Sequence, residues 1–161
     1  NYLDLYKEKI QNGIINKLED IEELIFMVLK IKKAVIEIDQ YELNIRKALN
    51  YGHTLGHAIE KITNYEIPHG IAVAFGMVII NNLFECNNID ELNKLALDLT
   101  SNFKLNKYKF DNLENILKRD KKVIKNQLTL VYLKDLGNTK FSNKDINNSL
   151  IIRLKEIIKK L

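Results

Sequence analysis

The chain has 161 residues, enough for one domain with a real core, with 46% apolar and 29% charged residues, the balance of an ordinary soluble globular protein. Its net charge of +4 comes mainly from lysines in "LKRDKKVIK" (117–125) and "RLKEIIKK" (153–160), without the interleaved aromatics or Gly-rich loops of a nucleic-acid binder. No apolar run is long enough to span a membrane, so neither nucleic acid nor a bilayer is an expected partner.

The opening "NYLDLYKEKI" carries no Met, no basic leader and no apolar core. It does not read as a signal peptide; it reads as the interior of a longer chain. Residues 2–17 are amphipathic and predict a helix. A second helix is expected from Leu18 to about Glu37, with Leu24, Ile25, Val28, Leu29, Lys32 and Val35 at helical spacing. "IDQYELN" breaks the pattern, and Asn44 is the expected left-handed cap. A third helix is expected from Ile45 to about Thr63, carrying Arg46, Asn50, His53 and His57 as a polar stripe on one face. Pro68 then precedes a helix from His69 to about Cys86, apolar on every side and therefore central. Asp90 and Asp111 open two short helices, ending near Leu99 and Lys121. "QLTLVYLKDLGNTKF" alternates about a turn and predicts a β-hairpin, and a closing amphipathic helix fills 145–161. The expected fold is mainly α, a multi-helix domain with one small β-hairpin, forming a single domain over residues 1–161. The one cysteine, Cys86, excludes an internal disulfide and fits a reducing cytoplasm.

The chemistry concentrates in one window. All three histidines, His53, His57 and His69, fall within 17 positions, beside Gly52, Gly56, Gly70 and Gly76. His53 and His57 are four apart, a spacing that can chelate zinc. The metalloprotease version needs Glu beside the first His, where this chain has Thr54, and a lone helical His pair is more often structural. His69 strengthens the metal reading: imidazoles from two helices make half of a catalytic zinc site, which usually has three protein ligands and an open position. His69 also opens a helix, where free N–H groups favour an anion.

The spacing K-x13-R-x3-LN-x-GHT-x-GHAIE, followed by HG-x-AVA-x-GM and later RDKK before a hairpin, resembles the C-terminal part of the 3-dehydroquinate synthase family. These residues are Lys32, Arg46, Leu49 and Asn50, Gly52 to Thr54, Gly56 to Glu60, His69 and Gly70, Ala72 to Ala74, Gly76 and Met77, and Arg119 to Lys122. The likeness covers roughly residues 20–160. A looser histidine pattern is shared with iron- or zinc-dependent polyol dehydrogenases.

The resemblance implies an NAD- and metal-dependent lyase of the shikimate pathway. Such an enzyme converts 3-deoxy-D-arabino-heptulosonate 7-phosphate, an anionic phosphorylated substrate, to 3-dehydroquinate and phosphate. It implies zinc, or another divalent ion such as cobalt, on His53 and His69, with His57 facing the substrate. Lys32, Arg46, Asn50 and Lys122, preferred over Lys121, would contact the substrate's carboxylate, hydroxyls and phosphate; Arg as a fork and Lys as a point charge suit such an anion. A third ligand, a Glu, would lie upstream, as would an NAD-binding domain, so the piece alone is expected to be inactive and to bind zinc weakly. The parent would be a cytoplasmic homodimer. Two positions depart from the family pattern: Ile71 stands where Glu is usual, and Asp39–Gln40 where Asp–Glu is usual. The alternatives are another sugar-phosphate cyclase or a polyol dehydrogenase, with a non-enzymatic helical module a distant third.

Overall fold

The computed structural model describes residues 18–161 except 87, 120–122 and 125. The helix expected over 2–17 lies outside the described residues. Contacts divide the chain into two compact units, Asn1–Lys47 and Ala48–Leu161.

In the first unit, α1 runs from Leu18 to Ile38, close to the expected span. The loop after it is organised by the buried Asp39. Its carboxylate accepts the backbone N–H groups of Leu43, Asn44 and Arg46 at 2.8, 2.7 and 3.0 Å. The left-handed residue is Glu42 (φ 57°), not Asn44. Three donors converging on one carboxylate fix the loop, and the fold tolerates the strained φ at whichever residue sits at the apex.

The helix expected from Ile45 to Thr63 is in fact two pieces. A 3-10 segment covers Ile45–Asn50, and α2 covers His53–Ile62. Between them Gly52 takes φ 76°, a left-handed conformation that ends one helical run and starts the next. The four-residue polar stripe is therefore not carried by one continuous helix.

In the second unit, α3 (His69–Leu83) follows Pro68 directly, as the proline predicts. It is the central element: its residues Ala72 to Gly76 and Val78 to Asn81 are buried. Around it pack α2, α4 (Asp90–Thr100), α6 (Asn148–Ile158) and strand β2 (Gln127–Asp135). The core joins Leu55 and Ile59 of α2 to Phe75 and Ile79 of α3, Leu128 and Leu130 of β2, and Leu154 of α6. Helix α5 spans Leu113–Lys118, starting two residues later and ending sooner than Asp111 and Lys121 would place it.

The hairpin forms as expected. β2 pairs antiparallel with β3 (Asn138–Asp145) around Gly137 at φ 83°, with Val131 opposite Phe141. A two-residue strand, β1 (Val123–Ile124), adds to the other edge of β2. The Tyr132 ring stacks on Phe84 at the end of α3, centroids 4.1 Å apart, and ties the sheet to the central helix. Asn147 caps α6 by accepting the Leu150 N–H at 2.9 Å. No helix among the described residues is long and apolar enough to cross a membrane.

Candidate functional site

The site is assembled where α2 meets α3, and glycines make the meeting possible. A Cβ on Gly76 of α3 would run into the Gly52 carbonyl oxygen, with the Gly56 nitrogen 3.0 Å away. A Cβ on Gly52 would lie 2.7 Å from the Val73 carbonyl oxygen. Gly56 faces Val73 in the same way, 3.0 Å from its Cα. The two backbones thus touch with no side chain between them. His53, the first residue of α2, and His69, the first of α3, come together through this contact.

All three histidines converge. Ring centroids are 5.5 Å apart for His53 and His69, 5.8 Å for His53 and His57, and 5.8 Å for His57 and His69. Imidazole nitrogens bind zinc at about 2.0–2.1 Å, so two rings sharing one ion lie roughly 5 Å apart, centre to centre. The spacing fits a divalent metal. His53 and His57 are half-buried and His69 is exposed.

Two of the rings are held from behind. His53 Nδ1 lies 3.2 Å from the Tyr51 carbonyl oxygen, and His69 Nδ1 lies 3.2 Å from Glu60 Oε1. Glu60, His57 and His69 also place one ligand atom each within 4.8 Å of one another, which among the described residues is the three-member group able to take a cation. Behind His53, the Tyr51 hydroxyl donates to Asn81 Oδ1 at 2.6 Å, and Asn81 Nδ2 donates to Asn93 Oδ1 at 2.7 Å. Burial pushes the Tyr51 hydroxyl up to about 12, although its bond to Asn81 pulls the other way, so it stays a neutral donor at physiological pH. This chain of polar groups runs from the start of α2 through α3 to α4. Burial also raises the Cys86 thiol, which keeps it from being a ready thiolate.

The other expected site residues are distributed. Asn50 ends the 3-10 segment and is half-buried. Arg46 belongs to the first unit, where Nη1 donates to the Gln40 carbonyl at 2.6 Å and its own N–H is held by Asp39. Lys32 is exposed on α1. Lys122 and Lys121 lie outside the described residues. Sequence reasoning assigned no role to Glu60, Asp39 or Tyr51. Glu60 had a usable signal: it stands three residues after His57, on the same helical face.

In fold, this chain is a mainly helical domain with a small antiparallel sheet. It resembles a 2-deoxy-scyllo-inosose synthase crystallised with carbaglucose-6-phosphate, NAD+ and Co2+, with a TM-score of 0.70 and 24% identity over 88% of this chain and 41% of that one. The model of the family described as 3-dehydroquinate synthase C-terminal matches residues 1–123, and the chain belongs to that family. Among its relatives are the 3-dehydroquinate synthases of Clostridium perfringens (strain 13 / Type A), 40% identical over 81% of this chain and 40% of theirs, and of Dictyoglomus turgidum, 34% identical over 92% and 44%. The chain therefore spans less than half the length of these relatives.

Proposed function

We propose that this chain is the metal- and substrate-binding part of a 3-dehydroquinate synthase, acting in the cytoplasm as a homodimer on 3-deoxy-D-arabino-heptulosonate 7-phosphate. The observation that carries the reading is the convergence of His53, His57 and His69 at the starts of two helices that glycines allow to touch. Family membership supports it, with a 3-dehydroquinate synthase relative 40% identical over 81% of the chain.

In this reading His53 and His69 hold zinc or cobalt, and His57 meets the substrate near its phosphate. When bound, the metal supplies Lewis acidity toward the substrate's hydroxyls, and NAD, held mainly by a domain outside this chain, supplies reversible hydride acceptance. His57 can move a proton at the phosphate-bearing end, since an imidazole offers one nitrogen that donates and one that accepts. Arg46 offers a planar fork to a carboxylate or phosphate, Lys32 and Lys122 offer point charges, and Asn50 hydrogen-bonds hydroxyls. The positive ends of α2 and α3 favour the same anion.

A second reading has its own support, because His57, Glu60 and His69 also come close enough to share an ion. Metal content and turnover of the complete enzyme separate the two. His53→Ala and His69→Ala are expected to lose metal, whereas His57→Ala keeps metal and loses turnover. Metal loss in His57→Ala with metal retained in His53→Ala would transfer the site to the second trio. Arg46→Lys is expected to weaken substrate binding about 10-fold or more by replacing a fork with a point charge; unchanged kinetics would remove Arg46 from the site.

A further inference from the structure

We infer that Glu60 is a positioning residue that sets the tautomer and orientation of His69, so that Nε2 is the nitrogen left for a metal ion. The inference rests on the reading of His69 as a ligand. Its own footing is the hydrogen-bond geometry. Glu60 Oε1 sits 3.2 Å from His69 Nδ1, and the Glu60 side chain is only 12% exposed while that of His69 is 56% exposed. A sheltered carboxylate thus holds the Nδ1 of a ring that is itself more than half exposed.

The chemistry fixes the direction of that bond. An ionised carboxylate has no proton to give, so the ring must donate from Nδ1, and in its neutral form it keeps the lone pair on Nε2. The Tyr51 carbonyl, also acceptor-only, imposes the same state on His53 through the 3.2 Å contact with its Nδ1. The two rings that come closest to each other, 5.5 Å between centroids, are therefore set in the same tautomer before any metal arrives. Neutral imidazole free in water prefers the opposite tautomer, with the proton on Nε2. Partners of this kind commonly orient metal-bound histidines, and their loss typically weakens metal binding about 10- to 100-fold.

Glu60 is in place because α2 and α3 are. It follows His57 by three residues on α2, and the Gly52–Gly76 contact brings the start of α3, with His69, alongside. Its role differs from that of a ligand in one testable respect. A positioning acceptor can be replaced by another acceptor of the same shape, while a carboxylate ligand to a cation cannot be replaced by a neutral amide without a large loss.

The experiment uses two variants, Glu60→Ala and Glu60→Gln, with two readouts. In the metal-free chain, proton–nitrogen correlation spectra report which ring nitrogen of His69 carries the proton. The expected result is Nδ1–H in the wild type and in Glu60→Gln, whose amide oxygen still accepts, with a shift toward Nε2–H in Glu60→Ala; His53 stays Nδ1–H throughout. Titration of the complete enzyme with cobalt should then show affinity about 10-fold or more lower for Glu60→Ala, and within a few-fold of wild type for Glu60→Gln. An unaltered His69 tautomer in Glu60→Ala overturns the inference. Equal loss of cobalt in both variants, with the tautomer unaltered in Glu60→Gln, overturns it in favour of Glu60 as a direct ligand. Undiminished cobalt binding in His53→Ala and His69→Ala would instead remove the metal reading, and the spectra alone would then decide what Glu60 does to His69.

Discussion

The contact between α2 and α3 and the loop after α1 both hold polar side chains in place, by opposite means. At the helix contact the fit is made by removing atoms: Gly52, Gly56 and Gly76 let backbone meet backbone. In the loop it is made by adding a charge: the single Asp39 carboxylate gathers three N–H groups, one of them from Arg46. The first arrangement should be indifferent to acid and intolerant of a methyl group. The second should tolerate modest changes of volume and depend on ionisation.

The largest effect is expected from Gly76→Ala. The new methyl meets the Gly52 carbonyl, which is backbone and cannot rotate away, so α2 and α3 must separate. Overpacking of this kind costs about 3 kcal/mol, measured by urea unfolding, and the His53–His69 pair should lose cobalt binding with it. Normal stability in this variant would mean that the helices are not in backbone contact.

Tyr51→Phe should cost less. Asn81 is buried and would lose the donor that satisfies its Oδ1, a penalty of about 1–2 kcal/mol. Because the wild-type hydroxyl stays protonated up to about 12, the loss should be the same at pH 6 and pH 9. A difference that vanished at pH 9 would show the hydroxyl already ionised there.

Asp39→Asn tests the loop through its pH dependence. Burial raises the Asp39 carboxyl, but the N–H groups of Asn44, Leu43 and Arg46 and the charge of Lys47 together bring it below its ordinary value of 3.8. A depressed carboxyl stabilises the fold above its unfolded value and loses that contribution as pH falls through the folded one. Wild type should therefore exceed Asp39→Asn in melting temperature at neutral pH, and the gap should close below pH 3.8. A gap that persisted unchanged into that range would mean the loop does not depend on the charge.

Gly70→Ala should do almost nothing. No atom lies within 4 Å of a Cβ placed there, so a change within about 0.5 kcal/mol is expected from thermal unfolding. The pair Gly76→Ala and Gly70→Ala thus separates glycines that fit from a glycine that merely occurs.

The same contrast explains what could be read from the sequence. The central helix was legible because residues 71–80 are apolar with one glycine, and Pro68 marks its start without ambiguity. The hairpin was legible from alternation around Gly137. The break at Gly52 was not. "LNYGHTLGHAIE" keeps helical spacing across it, and only the approach of α3 shows why Gly52 adopts a positive φ. Asn44 was the better left-handed residue by propensity, yet Glu42 takes that place because Asp39 dictates the loop's path. Of the site, the histidines were legible as types at a spacing. Their hydrogen-bond partners were not: a backbone carbonyl two residues back leaves no mark in the local pattern, and Glu60, although its spacing from His57 places it on the site's helical face, meets His69 only once α2 and α3 come together.

The central claim is that His53 and His69 are the nitrogens that take the metal. Crystals of the complete enzyme grown with cobalt test it most directly, by anomalous difference density at the cobalt edge. The account predicts a peak between the Nε2 atoms of His53 and His69, with Glu60 still on His69 Nδ1. A peak enclosed by His57, Glu60 and His69 would contradict it.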